Sequence, residues 1–301
     1  MYFPHQDDAE ISRIINAHSR FIVLIQQNEY AVSLFQRNIQ PLIHAAHKPY
    51  VIISCMDDMT FPYEVVGSFF YSLAGLGSPH LLHRWFAINC HHRLLSVPAN
   101  KITPIPYGVD YWTLSRRVSW SNTPMASAPA QDRHLSQLSS TTLHFTKRPL
   151  NDRVFINFQF NLDGNGGSER KLAFHSIPSD VMSIQESPCN RYDTWGAYSQ
   201  HAFVASPRGN GIDTIRTWEA LMLGCIVIVR RITPTPIPIE ELYADLPVVI
   251  IDRWSDLTRD FLAKILSEFA ERAANNEFRY EKLSMKYWIE QIESAFDTID
   301  I

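Results

Sequence analysis

Arg208, Gly209, Asn210, Gly211, Asp213, Arg216 and Glu219 crowd into one stretch, Phe203–Val229, which reads FVASPRGNGIDTIRTWEALMLGCIVIV. Guanidinium groups beside a glycine-rich loop that feeds a helix make an anion site. The free N–H groups and positive dipole end of the helix favour a phosphate or diphosphate there. Glu219 falls one to two turns further into the helix, where a carboxylate can accept bonds from ribose hydroxyls. A plainer reading of the same residues is a surface ion pair between Arg216 and Glu219, three positions apart, behind an ordinary turn.

The elements that must hold these residues can be read from the flanking sequence. Phe203–Ser206 is a short apolar strand end. Pro207–Ile212 can neither extend the strand nor begin a helix, because Pro207 lacks a donor and Gly209 and Gly211 favour positive φ. Asp213 is expected as N-cap of a helix running to about Leu223, ended by Gly224. The following CIVIV has the composition of a buried parallel strand. Ile215, Trp218, Met222 and Cys225 share a face expected to pack on a sheet, and Asp213, Arg216 and Glu219 share the other. A second strand–loop–helix comes earlier, in Arg153–Phe160, Asn161–Ser168 and a helix from Glu169. Arg170 there is either a further phosphate contact or a surface arginine beyond a plain turn.

The stretch resembles the signature of exostosin-type glycosyltransferases, which belong to the sugar-nucleotide enzymes of GT-B architecture. The resemblance is carried by Phe203, Pro207, Arg208, Gly209, Gly211, Arg216, Glu219, Ala220, Gly224, Cys225 and Ile226. Asp213–Thr214 stands near the family's usual serine, and Val227 replaces its proline. The resemblance covers roughly residues 150–260. It implies an α/β fold of two Rossmann-like domains facing a cleft, with a C-terminal helix crossing back to the first domain. It further implies that Arg208 and Arg216 meet the diphosphate of a sugar-nucleotide donor, most often a UDP-sugar, that Glu219 meets the ribose, and that transfer inverts the anomeric carbon.

The 301 residues suffice for two domains. Residues 1–112 read as an N-terminal Rossmann-like acceptor domain, with strands at Arg20–Ile25, Tyr50–Cys55, Trp85–Asn89 and Lys101–Pro106. Residues 113–150 read as a Ser/Thr/Pro-rich linker or insertion, with a short helix near Ala128–Leu138. Residues 151–301 read as the donor domain, closing with helices over about Asp256–Asn275 and Tyr280–Phe296. A net charge of −4 argues against nucleic-acid binding. No apolar run reaches the length of a membrane span, and MYFPHQDDAE is no signal peptide, so a soluble, cytoplasmic chain is expected.

Transfer by inversion needs a base for the acceptor hydroxyl, a glycan or glycoprotein group. Asp57 and Asp58, just after the strand Tyr50–Cys55, are the leading choices, followed by His91 and His92; an N-cap role before the helical stretch Phe61–Leu76 is the alternative for one of the aspartates. Asp57 and Asp58 are adjacent and diverge in extended chain, and no Asp-x-Asp stands at a strand end. A metal-free, cofactor-free transfer through the arginines is therefore expected. Two other functions compete. His83, Cys90, His91 and His92 can be read as a zinc site of a hydrolase, although no H-x-x-x-H or C-x-x-C spacing occurs. A nucleotide- or glycan-binding protein without turnover is the third reading.

Overall fold

Apolar runs alternating with helical segments along the chain predict parallel sheets, because a βαβ crossover must carry the chain back before the next strand can align. The computed structural model describes residues 8–66, 81–91, 101–116, 126–158, 167–185 and 189–297. It contains two such sheets. β1 (Phe21–Gln26), β2 (Tyr50–Cys55), β3 (Leu82–Ala87) and β4 (Ile102–Pro104) pair in the order β1-β2-β3-β4, all parallel. β5 (Leu150–Ile156), β6 (Met182–Ile184), β7 (His201–Ala205), β8 (Ile226–Arg230) and β9 (Val248–Ile251) pair in the order β6-β5-β7-β8-β9, again all parallel. These are the two Rossmann-like α/β units of the expected fold class.

The first unit runs to Pro106 and takes in Ile237–Leu242 and the chain from Ser284 onward. The second holds Tyr107–Pro236 and Tyr243–Leu283. The C-terminal helix Met285–Ser294 therefore belongs with the first unit, where Phe296 packs with Val51 and Phe86. One long terminal helix over Tyr280–Phe296 is not formed. A 3₁₀ turn, Tyr280–Leu283, stays with the second unit, and a new helix starts after Ser284, whose hydroxyl takes the Tyr287 N–H.

In the first unit the core is built by Val23, Ile25, Ile52, Phe61 and Trp85, with Val32, Phe35 and Ile43 from the helical layer. That layer is expected as one helix disturbed at Pro41. It is instead Glu29–Leu34, a π turn at Phe35–Ile39, and Gln40–Ala45. The wider turn lets Pro41 fall in the first turn of the new helix, where its missing N–H is harmless. Gln27 is fully buried at the end of β1. Its amide nitrogen donates to Met59 O and Ile88 O, both at 2.8 Å, and its oxygen takes the Ser54 hydroxyl. These bonds fix the acidic loop that follows β2.

In the second unit Val154, Ile156, Phe203, Ala205, Ile226 and Ile228 fill the sheet's core, and Leu262, Ile265 and Phe269 of the helix Arg259–Ala274 pack against it. The segment 113–150 contributes structure to this unit: the helix Ala128–Thr141, with Leu135 buried, and a 3₁₀ turn at Phe145–Lys147. Ser139 Oγ donates to Met222 O at 2.7 Å, which ties that helix to the one carrying Arg216 and Glu219. Several sequence expectations lie outside the described residues: most of the helical stretch after Phe61, His92, residues 117–125 of the linker, and residues 159–166, which include the end of the expected strand Arg153–Phe160 and most of the loop after it.

Candidate functional site

The sheet order of the second unit decides where a ligand can enter. From β5 the chain goes to β6 on one side, then returns to β7 on the other. The loops leaving β5 and β7 thus diverge to opposite faces, and a crevice opens at their carboxyl ends; ligands of open parallel sheets bind at such switch points. The strands of the first unit run in sequence order, with no reversal among the described residues. The loop after β7 is the Pro207–Asp213 stretch, and Asn157 directly follows β5. The loop residues Arg208, Gly209, Asn210, Gly211 and Asp213 therefore stand at the reversal.

Ser206 Oγ closes the base of the loop, lying 2.9 Å from the hydroxyls of both Thr214 and Thr217. Asp213 locks it from the other end. Its Oδ2 accepts from Tyr107 N at 2.8 Å and Trp218 Nε1 at 2.7 Å, and its Oδ1 accepts from Tyr243 OH at 2.7 Å and Thr214 N at 2.9 Å. The helix is Ile215–Met222 and its N-cap is Thr214, whose hydroxyl caps no backbone N–H of the first turn. The expected N-cap role of Asp213 is corrected. At 3% exposure, with both oxygens taken, it is a structural hub and cannot meet a donor molecule. Burial pushes its carboxyl above the ordinary value, and the four donors hold that rise down. Its negative charge is thereby kept from the loop.

Gly209 is present for a different reason from the one expected. The left-handed glycines among the described residues are Gly108 and Gly224, not Gly209. A Cβ at Gly209 would meet Arg170 Nη2 at 3.1 Å, so the missing side chain lets the Arg170 guanidinium lie over the loop. Arg170 is carried by the helix Gly167–Ser176. The preceding residue anchors it: the buried Glu169 carboxylate takes Arg230 through both oxygens and Trp254 Nε1 at 2.8 Å. Gly211 is buried in the loop and Asn210 is exposed at its tip.

Arg208 and Arg216 supply the remaining cations. Arg208 is half-buried, and its Nε is enclosed with no hydrogen-bond partner among the described residues. Arg216 is half-buried as well. Its Nε donates to Asn157 Oδ1 at 3.0 Å, and its guanidinium stands 5.8 Å from the Phe158 ring centre. Desolvation pulls its pKa down, and the neighbouring Tyr198 and Glu219 oppose this. Among the described residues no carboxylate forms an ion pair with Arg216. A desolvated cation held by neutral partners is an unfavourable arrangement unless an anion arrives.

Glu219 does not lie on a polar outer face, and it does not pair with Arg216. It is 6% exposed, and Oε1 takes Arg191 Nε at 2.8 Å together with Arg191 Nη2. Thr217, Ala220 and Leu221 are buried alongside Trp218, whereas Ile215 and Met222 are only partly covered. The helix is enclosed on more than one side, because Ala128–Thr141 and Arg191–Gln200 pack on it in addition to the sheet. Sequence reasoning missed Arg191, Asn157 and Tyr198. Asn157 lies in the run Arg153–Phe160 that reads as a strand entering a glycine-rich loop, so its position was available as a signal; Arg191 gives none.

At its far end the same helix stops at Gly224, with φ +69°, as expected. Arg148, itself buried, donates to Leu223 O at 2.6 Å and to His201 O at 2.7 Å, and caps this end. A Cβ at Gly224 would lie 3.1 Å from Arg148 Nη2. Gly224→Ala should therefore lose roughly 1–2 kcal/mol of stability from the left-handed backbone alone. A urea unfolding curve reads this directly, and an unchanged midpoint would contradict it.

The residues expected to act as base lie in the first unit. Asp57 Oδ2 accepts from Gln26 Nε2 at 3.1 Å and Asn28 Nδ2 at 3.2 Å, and Oδ1 takes the Asp58 N–H at 2.8 Å. Asp57 thus organises its own loop and caps no helix, while the Asp58 side chain is exposed. His91 donates its backbone N–H to Phe61 O at 2.8 Å. The zinc reading is not supported by the geometry. His83 is at the start of β3, 3.2 Å from Ala295 O, while Cys90 is buried beyond the strand's end, so the strand itself holds them apart. Among the described residues no three His, Cys, Asp or Glu side chains form a metal-binding group. No described helix is long and apolar enough to cross a membrane.

No family model and no curated protein matches the sequence. Among solved structures, one match is a crystal structure of WaaG, a glycosyltransferase involved in lipopolysaccharide biosynthesis. The two chains are 13% identical, with 99% of this chain and 94% of that one covered and a TM-score of 0.30. At that score the likeness adds nothing to the strand order and register already described.

Proposed function

We propose that the second unit binds the diphosphate of a nucleotide sugar and that the chain is a glycosyltransferase acting on a glycan hydroxyl. The observation that carries this reading is Arg216, a desolvated guanidinium with neutral partners at the strand ends where the sheet order reverses. Arg208, with its enclosed and unpartnered Nε, and Arg170 over Gly209 add charge at the same loop. Preorganised cations and helix N–H groups suit a leaving group on which negative charge grows. The exostosin-like residues of 203–229 favour a UDP-sugar and inversion.

In the proposed reaction the acceptor oxygen attacks the anomeric carbon as the bond from that carbon to the diphosphate oxygen breaks. The nucleoside diphosphate leaves with the electron pair, and the acceptor proton passes to a base. The arginines, rather than a metal, neutralise the leaving group. Asp57 and Asp58, in the loop that follows β2, are the candidate bases, with His91 next. Calorimetric titration with UDP and GDP tests the binding step. Arg208→Ala should weaken UDP by about tenfold, the value of one charge-assisted contact. Equal affinity in the variant, or no binding of either nucleotide to the native protein, would overturn the reading. Release of free sugar from a UDP-sugar separates a transferase from a protein that only binds.

A further inference from the structure

Glu219 is a carboxylate among guanidiniums, and the nearest partner by sequence is Arg216, three residues earlier on the same helix. Such pairs form readily on helices. Here that collapse is prevented. Arg191 grips Oε1 through Nε and Nη2, and Oε2 receives no hydrogen bond among the described residues. Arg191 is itself fixed from several sides. Its Nη1 donates to Asp110 O and, at 3.1 Å, to Gln131 Oε1, and its guanidinium stands 4.9 Å from the Trp195 ring centre. Gln131 is held in turn by Tyr111 O and Ala126 O, each at 2.9 Å. Trp195 is fully buried. An arginine held at this many points is a rigid clamp.

We infer that Arg191 is a positioning residue: it keeps Glu219 off Arg216 and presents Oε2 to the ribose hydroxyls of the nucleoside diphosphate. It thereby sets selectivity for ribose over sugars that lack those hydroxyls. This rests on the donor-site reading above. Two consequences follow from one contact. Oε2 stays directed at neutral hydroxyls, and Arg216 stays unneutralised for the diphosphate. A site built to bond a hydroxyl discriminates strongly against the analogue lacking it, because its own polar atom is then left unpaired.

The test compares UDP, 2′,3′-dideoxyuridine diphosphate and inorganic pyrophosphate by titration calorimetry. The native protein should prefer UDP to the dideoxy analogue by about tenfold or more. In Arg191→Met that preference should fall to near unity, and pyrophosphate should bind several-fold more weakly as Glu219 swings onto Arg216. Adding Glu219→Ala to Arg191→Met should restore pyrophosphate binding, a rescue that a purely structural role for Arg191 would not give. Arg191→Lys keeps the charge without the two-pronged grip and should cut the preference at least threefold, so the test survives if the methionine variant does not fold. An unchanged preference in the Arg191 variants, or no rescue by the second substitution, overturns the inference. A native protein that binds UDP without preferring it to the dideoxy analogue overturns the inference and leaves the donor-site reading standing. A native protein that binds no UDP overturns both.

Discussion

Arg216→Met should weaken UDP binding by about a hundredfold, or close to 3 kcal/mol, the scale of a desolvated cation–phosphate contact. Uridine, which lacks phosphate, should lose little. Methionine keeps the bulk of the side chain beside Phe158 and leaves Asn157 and Tyr198 as neutral groups that can bond elsewhere. Because Arg216 lacks an ion-pair partner among the described residues, removing its charge should not destabilise the fold. The variant should unfold at the same or higher urea concentration than the native protein, since a desolvation penalty disappears with the guanidinium. Weaker UDP binding together with unchanged or raised stability is the signature of a binding residue. A stability loss with unchanged UDP affinity would mean that Arg216 is structural and would remove the main support for the proposed function.

Asp213→Ala should have the opposite signature, a loss of roughly 3–5 kcal/mol from leaving buried donors without their acceptor. The four donors come from widely separated parts of the second unit: Tyr107, Thr214, Trp218 and Tyr243. The carboxylate therefore ties the start of the unit, the loop, the helix and the segment after Ile237–Leu242 to one point. Since a domain's whole stability is about 5–15 kcal/mol, much of the unit's margin rests on this residue. UDP should still bind whatever fraction remains folded, because Asp213 does not face the ligand. Chemical unfolding monitored by tryptophan fluorescence should report the loss, with Trp218 as a local reporter. A change below about 1 kcal/mol would show that the network is weaker than its four bonds imply.

Local sequence was enough for the strand–loop–helix–strand of Phe203–Val229, for the parallel sheets, and for the helix end at Gly224. Each depends on a nearest-neighbour rule: apolar runs long enough to cross a sheet, a proline that cannot donate, a glycine where φ is positive. Charge spacing also marked Arg208, Arg216 and Glu219 as one group. Local rules failed wherever a polar residue had a distant partner. Asp213 had the sequence position of an N-cap, yet Tyr107 and Tyr243 claim its oxygens. Glu219 had an arginine three residues away, yet its partner is Arg191, which precedes it by 28 positions. Gly209 suggested a left-handed turn, yet what it permits is the approach of Arg170 from the helix Gly167–Ser176. The sequence by itself determined which elements form and which residue types stand at the loop. Only the tertiary structure decided which carboxylates are neutralised and which guanidiniums remain available. Electrostatic partnership depends on distance in space and on desolvation, and neither is a function of separation along the chain.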